Sequence, residues 1–447
     1  MNDLASDAHR LPTESHAARR AALACMVTLA VALGVGRFAF TPLLPLMLHG
    51  GAFGQPPIDI EHGGWLASFN YAGYFVGALT CAALRVEPAR VVRAGLALTV
   101  LLTLAMGVTS QFWVWAVVRF VAGAVSAWTF VFASQWGLRR LAELRQPAWS
   151  GVIYTGPGVG IVGTGLLVSA AGGYGATAGW IGFGLISAVL AAAVWPAFGN
   201  AAASDRKAAG RASASSATER RADGPAAATS DETGASRAGA TTTRHAAINS
   251  GPATHRADAF WLVVLYGVPG FGYIITATFL PVIARHALPG SPWPDLFWPM
   301  FGAALMVGAL LAARLPLHLD NRVLLAGSYV LQAAGIALGI VWPTAGGFSL
   351  GSILIGVPFT AITLFAMREA RRLRGDDAAG LMGYATAAYG LGQIVGPLVA
   401  APIAAHTGSF SLALWLAAGA LLVGAAGLVV VARMPRGRGR MPDCGCG

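Results

Sequence analysis

Twelve long apolar runs follow one another along the chain. They lie at about 21–47, 63–84, 91–109, 112–136, 150–172 and 177–198, then at about 259–287, 296–315, 322–341, 347–368, 378–402 and 410–432. A helix rises 1.5 Å per residue, so about 20 apolar residues cross the hydrocarbon of a bilayer. No run alternates apolar and polar residues with period two, which argues against a β-barrel. Only 11% of the 447 residues are charged, where a soluble domain carries about 25%. The expected fold class is an all-α polytopic membrane protein with twelve transmembrane helices.

One polar island, 199–257, interrupts the series. It is built from Ala, Ser, Thr, Gly, Arg and a few acids, and holds too little apolar surface to offset the entropy of ordering. The expected organisation is a six-helix bundle at 1–198, a disordered cytosolic linker at 199–257, and a six-helix bundle with a cytosolic tail at 258–447. The two halves echo one another. Gly77-Ala78-Leu79 leads through Arg90 to Ala94-Gly95, as Gly308-Ala309-Leu310 leads through Arg322 to Ala326-Gly327. Gly36 to Pro45 matches Gly270 to Pro281, and Gly158 to Gly163 matches Gly390 to Gly396. Three echoes in one order favour a duplicated unit, as in many secondary transporters.

The net charge of +11 would suggest nucleic acid in a soluble protein. Here the arginines fall on alternate loops: Arg85, Arg90 and Arg93; Arg139, Arg140 and Arg145; Arg314 and Arg322; Arg368, Arg371, Arg372 and Arg374. Basic loops stay inside, so both termini are expected in the cytosol and the chain in the plasma (inner) membrane. That placement accounts for the charge without nucleic acid. Arg19-Arg20 precede a first run too long for a cleaved signal, which reads as a retained helix. Cys25 and Cys81 sit in apolar runs as packing residues, and Cys444 and Cys446 lack the four ligands of a structural zinc site. No metal or cofactor is expected.

Two arginines remain inside helices. Arg37 lies about 24 Å along the first run, and Arg119 about 10–12 Å into the fourth from the other side, so both sit at similar depth in the outer half. A charge in hydrocarbon is costly and usually faces a bundle interior or a wet cavity. A guanidinium offers a planar fork matched to carboxylate or phosphate. Two readings stand: an anion-binding pair, or Arg119 bracing backbone carbonyls while Arg37 snorkels outward. Further candidates for the cavity are Asn70, Tyr71 and Tyr74, Tyr154, Tyr273, Tyr384 and Gln393, with helix-to-helix hydrogen bonding as the other reading of each. No carboxylate lies deep in a run, so the proton-coupling candidates are Glu61 and His62 at the mouth of the second helix, against a solvated helix start. Gly156-Pro157-Gly158-Val159-Gly160 lacks the lysine of a phosphate loop and reads as a pliable fifth helix.

These residues resemble the major facilitator superfamily over the whole chain. Arg119-Phe120-Val121-Ala122-Gly123 looks like its fourth-helix Arg-x-x-x-Gly motif, and Tyr154 to Gly165 like its fifth-helix glycine motif. More narrowly, Gly36-Arg37-Phe38 with Thr41 to Pro45, then Asn70-Tyr71-Ala72-Gly73-Tyr74, resembles the YbfB/YjiJ-type branch. The resemblance implies the major facilitator fold, with the first and fourth helices lining one cavity. One departure stands out: the loop after the second helix keeps its basic residues but lacks the superfamily's Asp, Glu87 not standing in its place, whereas the second half has Asp320 before Arg322.

The expected function is secondary active transport of a small organic solute, with anionic character favoured, by alternating access between the halves. A non-transporting membrane sensor or a membrane-embedded enzyme is the alternative, although no acid–base pair or nucleophile is visible. Expected partners are the solute, a candidate coupling proton and the bilayer, with the chain a monomer.

Overall fold

The computed structural model describes residues 2–50, 57–84, 86–222, 252–316, 318–375 and 378–434. The first span has three pieces: α1 (Asn2–Leu29), a π-helical turn over Ala30–Val35, and α2 (Phe40–Leu48). Then come α3 (Ile60–Thr80), α4 (Pro88–Val108) and α5 (Phe112–Glu143). The fifth span is broken into α6 (Ser150–Ile153) and α7 (Gly156–Ala171), and α8 (Gly175–Ala222) closes the first half. The second half is α9 (Pro252–Ala287), α10 (Pro294–Arg314), α11 (Asn321–Val341), α12 (Ala345–Arg374), α13 (Ala378–Thr407) and α14 (Ser411–Arg433).

Among the described residues, 11 spans are long and apolar enough to cross a membrane. The expected run that falls short is α3, whose 21 residues include Glu61, His62, Asn70, Tyr71 and Tyr74. It can be polar because protein surrounds it: α3 packs against α5 on one side and α13 of the other half on the opposite side.

The margins of the 199–257 island are helical. Helix continues through Ala222 and restarts at Pro252. Alanine-rich sequence is the best helix former, so these margins extend the flanking spans. Residues 223–251 lie outside the described residues, as do Cys444 and Cys446.

The halves meet along α3 with α13 and along α7 with α10. At the end away from the arginine-rich loops, α2 also packs on α9. Thr41 Oγ1 donates to the Ala277 carbonyl at 2.9 Å, and Ser68 Oγ to the Ile394 carbonyl at 2.9 Å. This end is closed.

At the arginine-rich end the halves differ. In the second, Asp320 caps α11 by accepting from the Arg322 backbone N–H at 2.9 Å. The buried Arg322 side chain donates to Glu369 at 2.6 Å, to Asp258 at 2.6 Å and to the Val431 carbonyl at 3.0 Å, tying α9, α11, α12 and α14 together. Arg372 adds a bidentate pair to Glu369 at 2.6 and 2.7 Å. In the first half, Glu87 pairs with Arg90 at 2.8 Å, at the surface and one turn away.

Candidate functional site

The first span breaks where its sequence cannot sustain an α-helix. Gly36 and Phe38 N–H groups reach back five residues, to Val31 and Leu33. Pro42 then has no N–H to offer, and Thr41 bonds three residues back to Phe38. The carbonyls of Gly36 and Arg37 are therefore left without an intrahelical donor. Arg119 supplies it: Nη1 donates to Gly36 O at 3.4 Å, Nη2 to Arg37 O at 3.3 Å and Nε to Leu66 O at 3.4 Å. Asn70 Nδ2 donates to the Arg119 carbonyl at 2.9 Å. Gly123, four residues on, lies against the Asn70 carbonyl, where a Cβ would collide with it. The Arg-x-x-x-Gly spacing thus holds α5 tight to α3 and its arginine under the break.

Arg37 itself does not snorkel. Its side chain is 5% exposed and turns toward the other half. Nη2 donates to Gln393 Oε1 on α13 at 2.8 Å, and Gln393 Nε2 donates in turn to the Tyr273 hydroxyl on α9. The guanidinium carbon is 3.9 Å from the centroid of the Tyr74 ring, 5.1 Å from Tyr71 and 5.3 Å from Phe38. Tyr71 also bridges the halves, its hydroxyl 3.0 Å from Thr278 Oγ1. Among the described residues no carboxylate pairs with Arg37 or Arg119. Two adjacent cations thus lie buried without a counter-charge among the described residues, and Nε of Arg37 has no hydrogen-bond partner.

Aromatic rings continue the wall. Tyr389 stacks on Tyr266 and on Tyr273, at 5.0 and 5.9 Å between centroids. Phe359 stands edge-on to Tyr273 and to Phe301. Trp298 lies flat on Phe301 at 5.1 Å and meets Phe38 of the first half at 6.1 Å.

A sequence model for the family described as "Uncharacterised MFS-type transporter YbfB" matches residues 29–228 and 235–430. The chain belongs to this family. No curated protein sequence matches it. Among solved structures, the crystal structure of nucleoside transporter NupG, in a point-mutant form, aligns with a TM-score of 0.65 at 13% identity, covering 92% of this chain and 99% of that one. That likeness carries the fold. The protein is a multi-pass membrane transporter of the MFS type, and not an enzyme.

In this MFS-type transporter the candidates separate. Arg37, Tyr273 and Gln393 form one bonded chain across the halves, with Tyr71 and Tyr74 beside it. Arg119 and Asn70 lie next to it: Arg119 gives three N–H groups to backbone carbonyls and Asn70 Nδ2 ties α3 to α5, while Asn70 Oδ1 has no partner. Tyr154 is elsewhere: its ring packs against Phe130 in a separate core at the arginine-rich end. Tyr384 is exposed. Glu61 and His62 occupy the first turn of α3, where Asp59 caps the His62 backbone N–H at 2.7 Å and contacts its ring at 2.7 Å. Burial pushes the Asp59 carboxyl up, but the His62 contacts and the Glu61 backbone N–H together outweigh this and hold it below its ordinary value. A cavity of about 370 Å³ at the closed end is lined by Leu48, Ile283, His286, Phe348 and Leu414, among others. None of the named site residues lines it.

Apart from Tyr273, the aromatic wall escaped the sequence reading. Its rings come from α9, α10, α12 and α13, and only the Tyr266–Tyr273 and Tyr389–Gln393 spacings hint that they share a side.

Proposed function

We propose that this protein is a secondary active transporter that moves a small organic anion across the inner membrane by alternating access, with its arginine-rich face in the cytosol. One observation supports the anion above all: Arg37 is buried between the halves with no carboxylate partner and holds only a neutral amide across the seam. An unpaired buried charge is expensive, and a solute carrying the opposite charge removes that cost. A neutral planar solute, such as the nucleoside that names the structural neighbour, would leave the two arginines uncompensated. Arg37 and Gln393 join the halves at this point, where a solute can bias them toward one state.

The test is uptake by purified protein in proteoliposomes, against a panel of labelled carboxylates. An Arg37-dependent uptake of at least one anion is expected. Undiminished anion uptake by Arg37→Ala, inserted normally, would remove the reading.

A further inference from the structure

The anion reading leaves the body of the solute open, and this inference rests on that reading. At the level of Arg37 the halves are joined by contacts that a ligand must replace when they part. One is the hydrogen bond from Arg37 Nη2 to the Gln393 amide oxygen at 2.8 Å. Another is the ring contact of Phe38 with Trp298 at 6.1 Å. Both have the form of weaker copies of something else.

Nη2 and Nε form the side edge of a guanidinium. In Arg37 the first is held by a neutral amide oxygen and the second, equally buried, has no partner. A carboxylate takes both together through two parallel N–H···O bonds, and charge-assisted bonds of this kind are roughly twice as strong as neutral ones. The indole N–H of Trp298 is a second fully buried donor without a partner. Its ring already lies parallel to Phe301, within 9°. Tyr266, Tyr389 and Tyr273 make a second stack, at 24° and 20°. Aromatic rings prefer offset or edge-on ring partners, and this wall offers both faces and edges. Its hydroxyls are largely committed: Tyr266 bonds Thr363 at 3.1 Å, and Tyr273 accepts from Gln393. A sugar would find few partners for its hydroxyls here.

We propose that the transported anion is a planar aromatic carboxylate. Its carboxylate displaces Gln393 from Arg37 and fills Nη2 and Nε, and its ring enters between Phe38 and Trp298. Trp298 is then a specificity-determining residue, selecting through its flat face.

Four probes separate the parts, each measured by equilibrium binding to the full-length protein in nanodiscs and by uptake into proteoliposomes. Benzoate and 1-naphthoate carry ring and charge, cyclohexanecarboxylate the charge alone, and benzamide the ring alone. The aromatic acids are expected to bind roughly tenfold more tightly than cyclohexanecarboxylate. Benzamide is expected to bind weakly. Phe38→Leu should bring the ratio of benzoate to cyclohexanecarboxylate toward one, and Trp298→Ala should do the same, while Trp298→Phe, which keeps a ring in place, should preserve the ratio. Equal, Arg37-dependent binding of benzoate and cyclohexanecarboxylate would overturn the aromatic assignment and leave the anion reading standing. Binding of benzamide as tight as benzoate, or no Arg37-dependent binding of any acid at millimolar concentration, would overturn both.

Discussion

Arg37 and Arg119 are neighbours with opposite employment. Arg119 gives three N–H groups to three carbonyls, two of which the broken first span cannot satisfy. A buried carbonyl left without a donor costs about 1–3 kcal/mol. The bonds are long, so Arg119→Ala is expected to cost about 2–4 kcal/mol in total, read as a lowered melting temperature in detergent. Arg119→Lys should recover little of it, because a single ammonium cannot span three carbonyls as the guanidinium fork does. Arg37→Ala should do the reverse. Losing the Gln393 bond is offset by removing an unpaired buried charge, so thermal stability changes little, while anion affinity falls by roughly 10- to 100-fold for the loss of a charge-assisted bond. A variant pair with the two effects exchanged would contradict the division of roles. The sequence placed both arginines at one depth, because depth follows from run length alone. It could not divide them, since the carbonyls that occupy Arg119 are freed by a π turn and a proline on another helix.

At the scale of elements, the informative contrast is between two loops that the duplicated sequence makes look equivalent. In the second half, Glu369 is fully buried between Arg322 and Arg372, with Asp258 completing the cluster. Removing one partner of a buried pair leaves the other charged and desolvated, at about 3–5 kcal/mol. Glu369→Gln is expected to lower stability by that order, measured as thermal unfolding. Glu87→Gln in the first half should change it by less than about 1 kcal/mol, because the Glu87–Arg90 pair is solvated and spans a single turn. Equal losses in the two variants would mean that both loops brace their halves alike. The difference was partly legible: Asp320 preceded Arg322 and no Asp preceded Arg90. Glu369 was not legible, because it lies near a helix end, where sequence position suggests water and only packing against α9, α11 and α14 reveals burial. The same limit hid most of the aromatic wall, whose members are spread over four helices.

At the scale of the molecule, the closed end makes a mechanical demand. Solute at Arg37 is cut off from that side by α2 on α9 and by α3 on α13, so transport requires these contacts to part. The contacts are of a kind that can part repeatedly: hydroxyl-to-carbonyl bonds such as Thr41 to Ala277 and Ser68 to Ile394, and small residues in close contact. At Gly64 on α3, an added Cβ would stand 2.6 Å from the Ala401 Cβ on α13. Easing the helices apart by about 1 Å reaches the 3.5–4.5 Å that a disulfide needs between its Cβ atoms. Gly64→Cys with Ala401→Cys, in a background lacking Cys25, Cys81, Cys444 and Cys446, should therefore cross-link this end in its closed state. Uptake is expected to proceed when the pair is reduced, to stop on oxidation and to return on renewed reduction. Because the cross-link lies apart from Arg37, solute binding from the arginine-rich side should survive oxidation while transport does not. Full uptake by a completely cross-linked population would show that the solute does not leave between α3 and α13, and the alternating opening of the two halves would have to be abandoned.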